Sequence, residues 1–570
     1  MNQTRAFLIF AWLMVATLLW MEWGKERSAP APAPAPAPAD SAISAVPSAS
    51  DATTPAAVPG VPVMSAPGAA PSATGPGRPA PVTVVTDVLR VALDGGELRE
   101  AELIGYPRSK GNARENVMLF ASDAANYFVA QSGWISSAGA APTHERGFVP
   151  EGGVRQFTLA EGASAIEVPF VWTGADGVSI RRTYTFQRGD YAVRVRDEVA
   201  NAGAKPWQGW VYRQLSRSPR ALTSSGPMNA EQYSFQGAAW FSAEEKYKKR
   251  AYDDFVDDGP LNQQVTGGWI AMLQHHFFAA WIPEQNASSK FELATLPSGN
   301  QTRYLIRSVG PGVAVAPGAT AVTEARLWVG PKLVAGIQAQ NVPGLERAVD
   351  FSRFGWLATL GDGLFWLLEK LHGLIGNWGW AIVGLVVIIK ALMYPLSAAQ
   401  YKSMAKMRKF QPRIAQLKER FGDDKQGFQV AMMDLYKKEK INPVGGCLPL
   451  LVQMPVFLAL YWVLLESVEL RHAPWMGWIN DLTARDPFFV LPALNMAIMW
   501  FTQKLTPAVG MDPMQQKMMQ FMPLVFGVMF AFFPAGLVLY WVTNAGLGLL
   551  QQWWMTRRYA EAPAPAPAKK

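Results

Sequence analysis

Hydrophobic and polar positions follow different rhythms in successive parts of the chain. From about Thr83 they alternate. In RRTYTFQRGDYAVRVRDEV, Tyr184 and Phe186, then Val193 and Val195, fall at every second position, with Gly189 and Asp190 between them. Period two sends successive side chains to opposite faces of a strand, and a Gly-Asp pair between two such runs signals a hairpin. Similar runs at VTVVTDVLRVAL, SAIEVPFVW and ATAVTEARLWV, with Gly- and Pro-containing turns, predict a large antiparallel β-sandwich over residues 83–345. Over 346–373 the period becomes helical. Leu364, Leu367, Leu368 and Leu371 lie three or four apart with Glu369 and Lys370 opposite, which predicts an amphipathic helix interrupted near Gly361-Asp362-Gly363. Such a helix fits either the membrane surface or a cap on the β domain.

Residues 374–556 are dominated by continuous apolar runs near 378–396, 444–465, 487–505, 518–533 and 535–555. Each approaches the ~20 residues a helix needs to cross a bilayer core. Phe533-Pro534-Ala535-Gly536 alone separates the last two, predicting a tight hairpin. A sixth run, AFLIFAWLMVATLLWM at residues 6–21, follows Arg5. A basic start, an apolar core and AxA-like triplets also suit a secretory signal peptide. The polar WGKER that precedes the first Ala-Pro repeat favours an uncleaved anchor over residues 1–27. Residues 28–82, rich in Ala and Pro, cannot bury a core and read as a semi-rigid tether.

Charge orients these spans. Eleven Lys and Arg stand between Ala398 and Asn442, against two, Arg471 and Arg485, between Glu466 and Asp486. Positive loops stay inside, so the first loop is expected to be cytoplasmic and the second outside. Counting spans then puts the β domain outside, with the N-terminus and the basic 557–570 tail inside. The net charge of +8 therefore reads as topology rather than nucleic-acid affinity, and no specific nucleic-acid partner is expected. Within the basic loop, Tyr401, Met404, Met407, Ile414, Leu417 and Phe421 form one apolar stripe, and Phe428, Met432 and Leu435 another. Gly422-Asp423-Asp424 supplies a C-terminal glycine and an N-capping aspartate, and Asn442-Pro443 a stop. An antiparallel helical hairpin over 398–442 is predicted, with a solvated charged loop as the alternative.

Signatures of covalent chemistry are absent. A single cysteine, Cys447, excludes an intrachain disulfide, and GxxxxGK[ST], HExxH, GxSxG and CxxC are all missing. No metal, cofactor or enzymatic activity is expected. His275-His276 in LQHHFFAAW is read as strand, one ring inward and one outward, and as structural histidine rather than a metal or acid-base site. A solute transporter or channel would usually show repeated span pairs, and no internal repeat is visible. A tethered carbohydrate-active enzyme would need a His and an acid in one cleft, and His144-Glu145 is the only adjacent pair in the β domain.

What remains is a set of polar residues among apolar helices: Lys390, Gln453, Gln503, Thr543 and Asn544. Lipid satisfies none of them, so such groups face protein or water. Lys390, inside VGLVVIIKALMYPL, has no Asp or Glu deep in any of the five later spans to neutralise it. It either lines a hydrated cavity or snorkels past Ala391–Leu396, a distance of ~9 Å at 1.5 Å per residue. Residue physics leaves both open.

The runs KALMYPLSAAQYKSMAKMRKFQPRIAQLKERFGDDKQ, KINPVGGCLPLLVQMPVFLALYWVL, DPMQQKMMQFMP and FPAGLVLYWVTN resemble the YidC-type membrane protein insertases, most closely the long Gram-negative form. The resemblance is close over residues 350–556, and the anchor, linker and β domain fit that form in order and size. It implies a multi-pass inner-membrane protein with six transmembrane helices, a five-helix insertase core and a periplasmic β-supersandwich. It also implies a hydrophilic groove open to cytoplasm and lipid, whose central cation attracts acidic segments of an arriving chain. Lys390 matches that cation, where the family typically has arginine. Phe457, Tyr540 and Trp541 match substrate-contacting positions, Trp541 standing where tyrosine is expected. Gln453, Gln503, Thr543 and Asn544 become candidates for the groove lining. The implied partners are nascent membrane proteins, the Sec translocon, the lipid bilayer and, through the basic hairpin and tail, the ribosome, with a monomer as the functional unit.

Overall fold

The computed structural model describes residues 80–110, 112–137, 139–219, 234–298, 301–349, 351, 355–422, 424–438, 448–505 and 513–560. The expected anchor, the linker up to residue 79, Asn442-Pro443, Cys447 and the tail beyond Ala560 lie outside them. The described residues fall into two compact units, one of β-strands ending at Ala348 and one of helices from Val349 onward.

The first unit is a β-sandwich whose described strands form one ten-stranded and one nine-stranded sheet, almost entirely antiparallel. The expected hairpin is present. Val178–Gln187 pairs with Ala192–Asn201 with Val195 opposite Tyr184, and Gly189 takes a positive φ of 71° in the turn. Alternation buries Val178, Ile180, Arg182, Tyr184 and Phe186 on one face. An arginine thus falls in the core set, and Asp197 stands directly across from it on the neighbouring strand. The guanidinium meets the carboxylate twice, Nε to Oδ1 and Nη2 to Oδ2, each at 2.6 Å. Trp134 of the opposite sheet donates its indole N–H to Asp197 at 2.8 Å, and Arg182 Nη1 donates to the Ser132 and Gly95 carbonyls at 3.0 and 3.2 Å. Burial opposes the Arg182 charge, but Asp197 more than offsets it and holds the guanidinium above its ordinary range. One ion pair therefore ties the two sheets together.

One histidine expectation changes. His275-His276 is not strand but the turn between Trp269–Leu273 and Phe277–Pro283, closed by Gln274 N–H donating to Phe277 O at 3.1 Å. In a turn the strand alternation no longer applies, and the two rings stack with centroids 3.7 Å apart. His144 is buried, with its ring Nδ1 2.8 Å from the Tyr212 hydroxyl, whereas Glu145 is exposed. The adjacent His and acid thus point into different environments and form no common cleft.

The second unit is helical. Helix α1 (Gly355–Ile375) runs unbroken through Gly361-Asp362-Gly363, where an interruption was expected. Packing explains it, because a Cβ on Gly361 would lie 3.2 Å from Phe351 Cβ and 3.4 Å from Val463, so glycine allows a close crossing. Helix α2 (Trp378–Leu392) starts on Asn377, whose side chain accepts the Trp380 N–H at 3.1 Å. It ends four residues before the expected 396. Pro395 lacks an N–H and its ring crowds the preceding turn, so the chain turns at Met393 into α3 (Tyr394–Lys409), whose first part bends 61° away. The expected first arm of the loop hairpin is likewise split, α3 giving way at Phe410 to α4 (Gln411–Phe421), with Pro412 in its first turn. Gly422 then adopts φ +50° and Asp424 accepts the Gly427 N–H at 2.9 Å, the expected stop and start signals, before α5 (Lys425–Lys438) packs back on α4.

Four more helices follow, α6 (Leu448–Glu466), α7 (Val490–Leu505), α8 (Pro513–Phe530) and α9 (Ala535–Ala560). The turn between α8 and α9 is as short as expected, yet α8 lies against α7 and meets α9 near the turn, through Phe530 and Trp541. Among the described residues no single helix is both long and apolar enough to cross a membrane alone; α2 with the start of α3 passes as a bent pair. Trp356 and Trp366 on α1, and Phe521, Leu524, Val525 and Val528 on α8, are exposed.

Removing one partner of the buried pair tests how far the sandwich depends on it. Asp197→Ala leaves Arg182 buried and unpaired, an expected loss of about 3–5 kcal/mol. Urea unfolding of the full-length protein in detergent, followed by the β-sheet circular dichroism signal, measures it.

Candidate functional site

One end of the helical unit is closed by the segment between α6 and α7. Asn377 donates to Trp475 O at 3.0 Å, and Gly379 admits the Trp475 ring where a Cβ would lie 2.2 Å from it. The first N–H groups of α9 are taken by the same segment, Ala535 donating to Ala484 O at 2.7 Å and Gly536 to Leu482 O at 2.8 Å. Asp486 caps α7, accepting from Leu491 N–H at 2.7 Å and Phe488 N–H at 3.0 Å. Backbone donors that apolar surroundings would leave unsatisfied are therefore paired, and Ile479 and Leu482 are buried beneath.

Away from this end, α2, α6 and α9 bring most of the candidate residues together. Phe457 of α6 stacks on Tyr540 of α9 at 6.2 Å between centroids and lies 4.7 Å from Trp541, which in turn meets Phe530 at 5.3 Å. Gln453 donates its amide to the Tyr540 hydroxyl at 3.0 Å, so these two candidates are mutual partners and Tyr540 is fully buried. The Trp541 indole N–H is buried with no acceptor among the described residues.

On α9, Trp541, Asn544 and Gly548 recur at i, i+3 and i+7, a spacing that lines one helix face. Lys390 meets this helix at Gly548, where a Cβ would stand 3.7 Å from its Nζ. Lys390 lies about 18 Å along α2 from Trp378 and Gly548 about 20 Å along α9 from Ala535, so both sit far from the closed end. The ammonium is half-buried, and none of the ion pairs or hydrogen bonds among the described residues involves it. The remaining candidates are engaged elsewhere. Thr543 donates to Leu539 O within its own helix at 2.8 Å, and Gln503 donates to the Met519 carbonyl, joining α7 to α8.

Three polar or close-approach positions escaped the sequence reading. Tyr401 donates its hydroxyl to Gly548 O at 3.4 Å, Asn495 is buried in α7 with its side-chain oxygen unpartnered, and Gly548 lies beside the lysine. Two glycines in the middle of an apolar helix, Gly546 and Gly548, were the one available signal. Among the described residues, no group of three or more His, Cys, Asp or Glu is placed to hold a metal ion.

The chain thus combines a β-sandwich domain with a unit of apolar helices. Residues 370–562 match the 60Kd inner membrane protein family and residues 81–367 the YidC periplasmic domain. A membrane protein insertase YidC of Stenotrophomonas maltophilia (strain R551-3) is 59% identical over 577 residues, covering 100% of both chains. That of Xanthomonas campestris pv. campestris (strain B100) is 57% identical, covering 99% of each. The chain therefore belongs to the YidC membrane protein insertase family, a non-enzymatic family of inner-membrane proteins with a periplasmic domain. Among solved structures, an active YidC insertase with its first transmembrane domain resolved aligns at 20% identity and a TM-score of 0.36, covering 83% of this chain and 94% of that one. A galactose mutarotase related enzyme from Lactobacillus acidophilus aligns at 9% identity and 0.28, covering 44% and 97%. The sequence relatives, not these distant likenesses, define the family.

The Gln453–Tyr540 bond is testable as a link between α6 and α9. A double-mutant cycle of Gln453→Leu and Tyr540→Phe, read by thermal unfolding in detergent, is expected to give a coupling of about 0.6–1.7 kcal/mol.

Proposed function

We propose that the protein inserts nascent inner-membrane proteins by offering a polar, cytoplasm-facing groove at Lys390, with six spans and both termini in the cytoplasm. The observation that carries this reading is an ammonium among apolar helices that forms no ion pair with a carboxylate among the described residues. A charge so placed is costly unless water or an incoming counter-charge reaches it. Acidic or polar flanks of a short hydrophobic segment fill that role. The basic α3–α5 region meets the arriving chain first, and the polar flank moves towards Lys390. The apolar segment then passes along Phe457, Tyr540 and Trp541 into lipid, with Gln453 and Asn544 lining the way and Gln503 and Thr543 holding the helices.

Burial of apolar surface supplies the driving force, ~25 cal/mol per Å² leaving water. The membrane potential adds ~2.3 kcal/mol per acidic charge per 100 mV for flanks that cross outward. No covalent step is needed. The exposed tryptophans Trp356 and Trp366 suit an interfacial position for α1, since indole favours the boundary between headgroups and acyl chains. The Sec translocon and the ribosome, the latter through the basic hairpin and tail, are the partners that suit this role, and one copy suffices for the groove.

Reconstitution in liposomes with a small substrate bearing an acidic tail tests the charge. Lys390→Arg is expected to keep activity and Lys390→Gln to weaken it. Lys390→Glu is expected to slow insertion roughly tenfold or more, a barrier change of about 1.4 kcal/mol or above. Wild-type rates for Lys390→Glu would refute the groove reading.

A further inference from the structure

We infer that Gly548 is a positioning residue that keeps the Lys390 ammonium available to acidic substrate segments; this rests on the groove reading above. Glycine is among the least favourable residues inside a helix, so its presence in the middle of α9 asks for a cause. Backbone conformation does not supply one, since Gly548 is not among the glycines with a positive φ. Steric exclusion of a methyl group does not either. A Cβ would lie 3.7 Å from Lys390 Nζ, an ordinary van der Waals distance, and would meet nothing nearer. A carboxylate carried at this position, however, would stand within a few ångströms of the ammonium.

The second observation concerns what Gly548 does present, its carbonyl. That oxygen is within the α9 hydrogen-bonding ladder and also accepts the Tyr401 hydroxyl, at 3.4 Å. At Gly548 the helix thus presents no side chain to Lys390, and the backbone acceptor there is already in use. Lys390 has neither a hydrogen-bonding nor an ionic partner among the described residues. Three ammonium donors are left for water and for what passes through. A carboxylate at position 548 would occupy them permanently, because opposite charges a few ångströms apart in a partly dehydrated site attract far more strongly than in water. Gly548 therefore determines specificity by omission, and the prediction concerns substrate charge rather than overall activity.

The full-length protein in liposomes is given two substrates that differ only in the flank, Asp/Glu-rich or Asn/Gln-rich, and the ratio of their initial insertion rates is measured. Lys390→Gln is expected to lower the acidic-to-neutral ratio. Gly548→Asp is expected to lower it to the same level, by roughly tenfold. Gly548→Asn, equal in size but uncharged, is expected to leave the ratio near wild type. A wild-type ratio in Gly548→Asp, with Lys390→Gln reduced, overturns the role of Gly548 and leaves the groove reading standing. Equal losses of both substrates in Gly548→Asp, or the same fall in ratio for Asn and Asp, also overturn it, since the residue would then act through packing. An unchanged ratio in Lys390→Gln removes the groove reading itself.

Discussion

A charge withdrawn from water has to be paired, hydrated or neutralised, and the two units of this chain meet that requirement differently. In the β-sandwich, Arg182 is fully buried, with four of its five N–H donors bonded, two to Asp197 and two to backbone carbonyls. Such a pair gains little over a well-packed apolar core, but it is severe on any arrangement that separates the partners. It holds the sheets in one register. Lys390 in the helical unit is the opposite case, half-buried and with no hydrogen-bonding or ionic partner among the described residues. A structural charge is closed off by its neighbours, and this one is not.

The same requirement, applied to backbone groups, gives the helical unit its polarity. At one end Asn377, Asp486 and the carbonyls of Leu482 and Ala484 satisfy helix N-termini, and apolar side chains bury the junction. Towards the other end Pro395 forces the bend between α2 and α3, and the polar groups Lys390, Tyr401 and Asn544 gather along α2, α3 and α9. In the proposed mechanism, helix ends satisfied on one side and polar groups towards the other favour entry from a single side. In the proposed mechanism that asymmetry directs the polar flank, while the exposed apolar faces let the hydrophobic segment leave sideways.

Local rules made much of this legible. Period-two alternation located the Val178–Gln187 and Ala192–Asn201 strands, and Gly189 between them has the conformation a turn demands. Gly422 and Asp424 behave as stop and start signals because their roles depend on a few neighbouring atoms. Readings failed where tertiary contact decided. Gly361 looked like a break by propensity, but its absent side chain serves the crossing with Phe351 and Val463. His275-His276 was taken for strand because a two-residue turn between buried strands has little polar signature. Lys390 was visible as a lone charge, whereas its relation to Gly548 and Tyr401 depends on which faces of α2, α3 and α9 meet. No spacing along one helix encodes that.

The lysine itself suits such a wall. An arginine presents five donors in a planar fork and is best matched by a carboxylate held in one orientation. An ammonium is a compact point charge on a flexible stem, and its attraction depends mainly on distance. Beside a glycine whose carbonyl is already occupied, the ammonium has no fixed acceptor among the described residues. In the proposed mechanism the arriving segment must be held briefly and then released into lipid. Weak directionality is then useful, because a bond that tolerates a range of approach angles also breaks without a large reorganisation. In the proposed mechanism the point charge of Lys390 and the glycine beside it are in this sense one arrangement, in which charge does the selecting and geometry stays permissive.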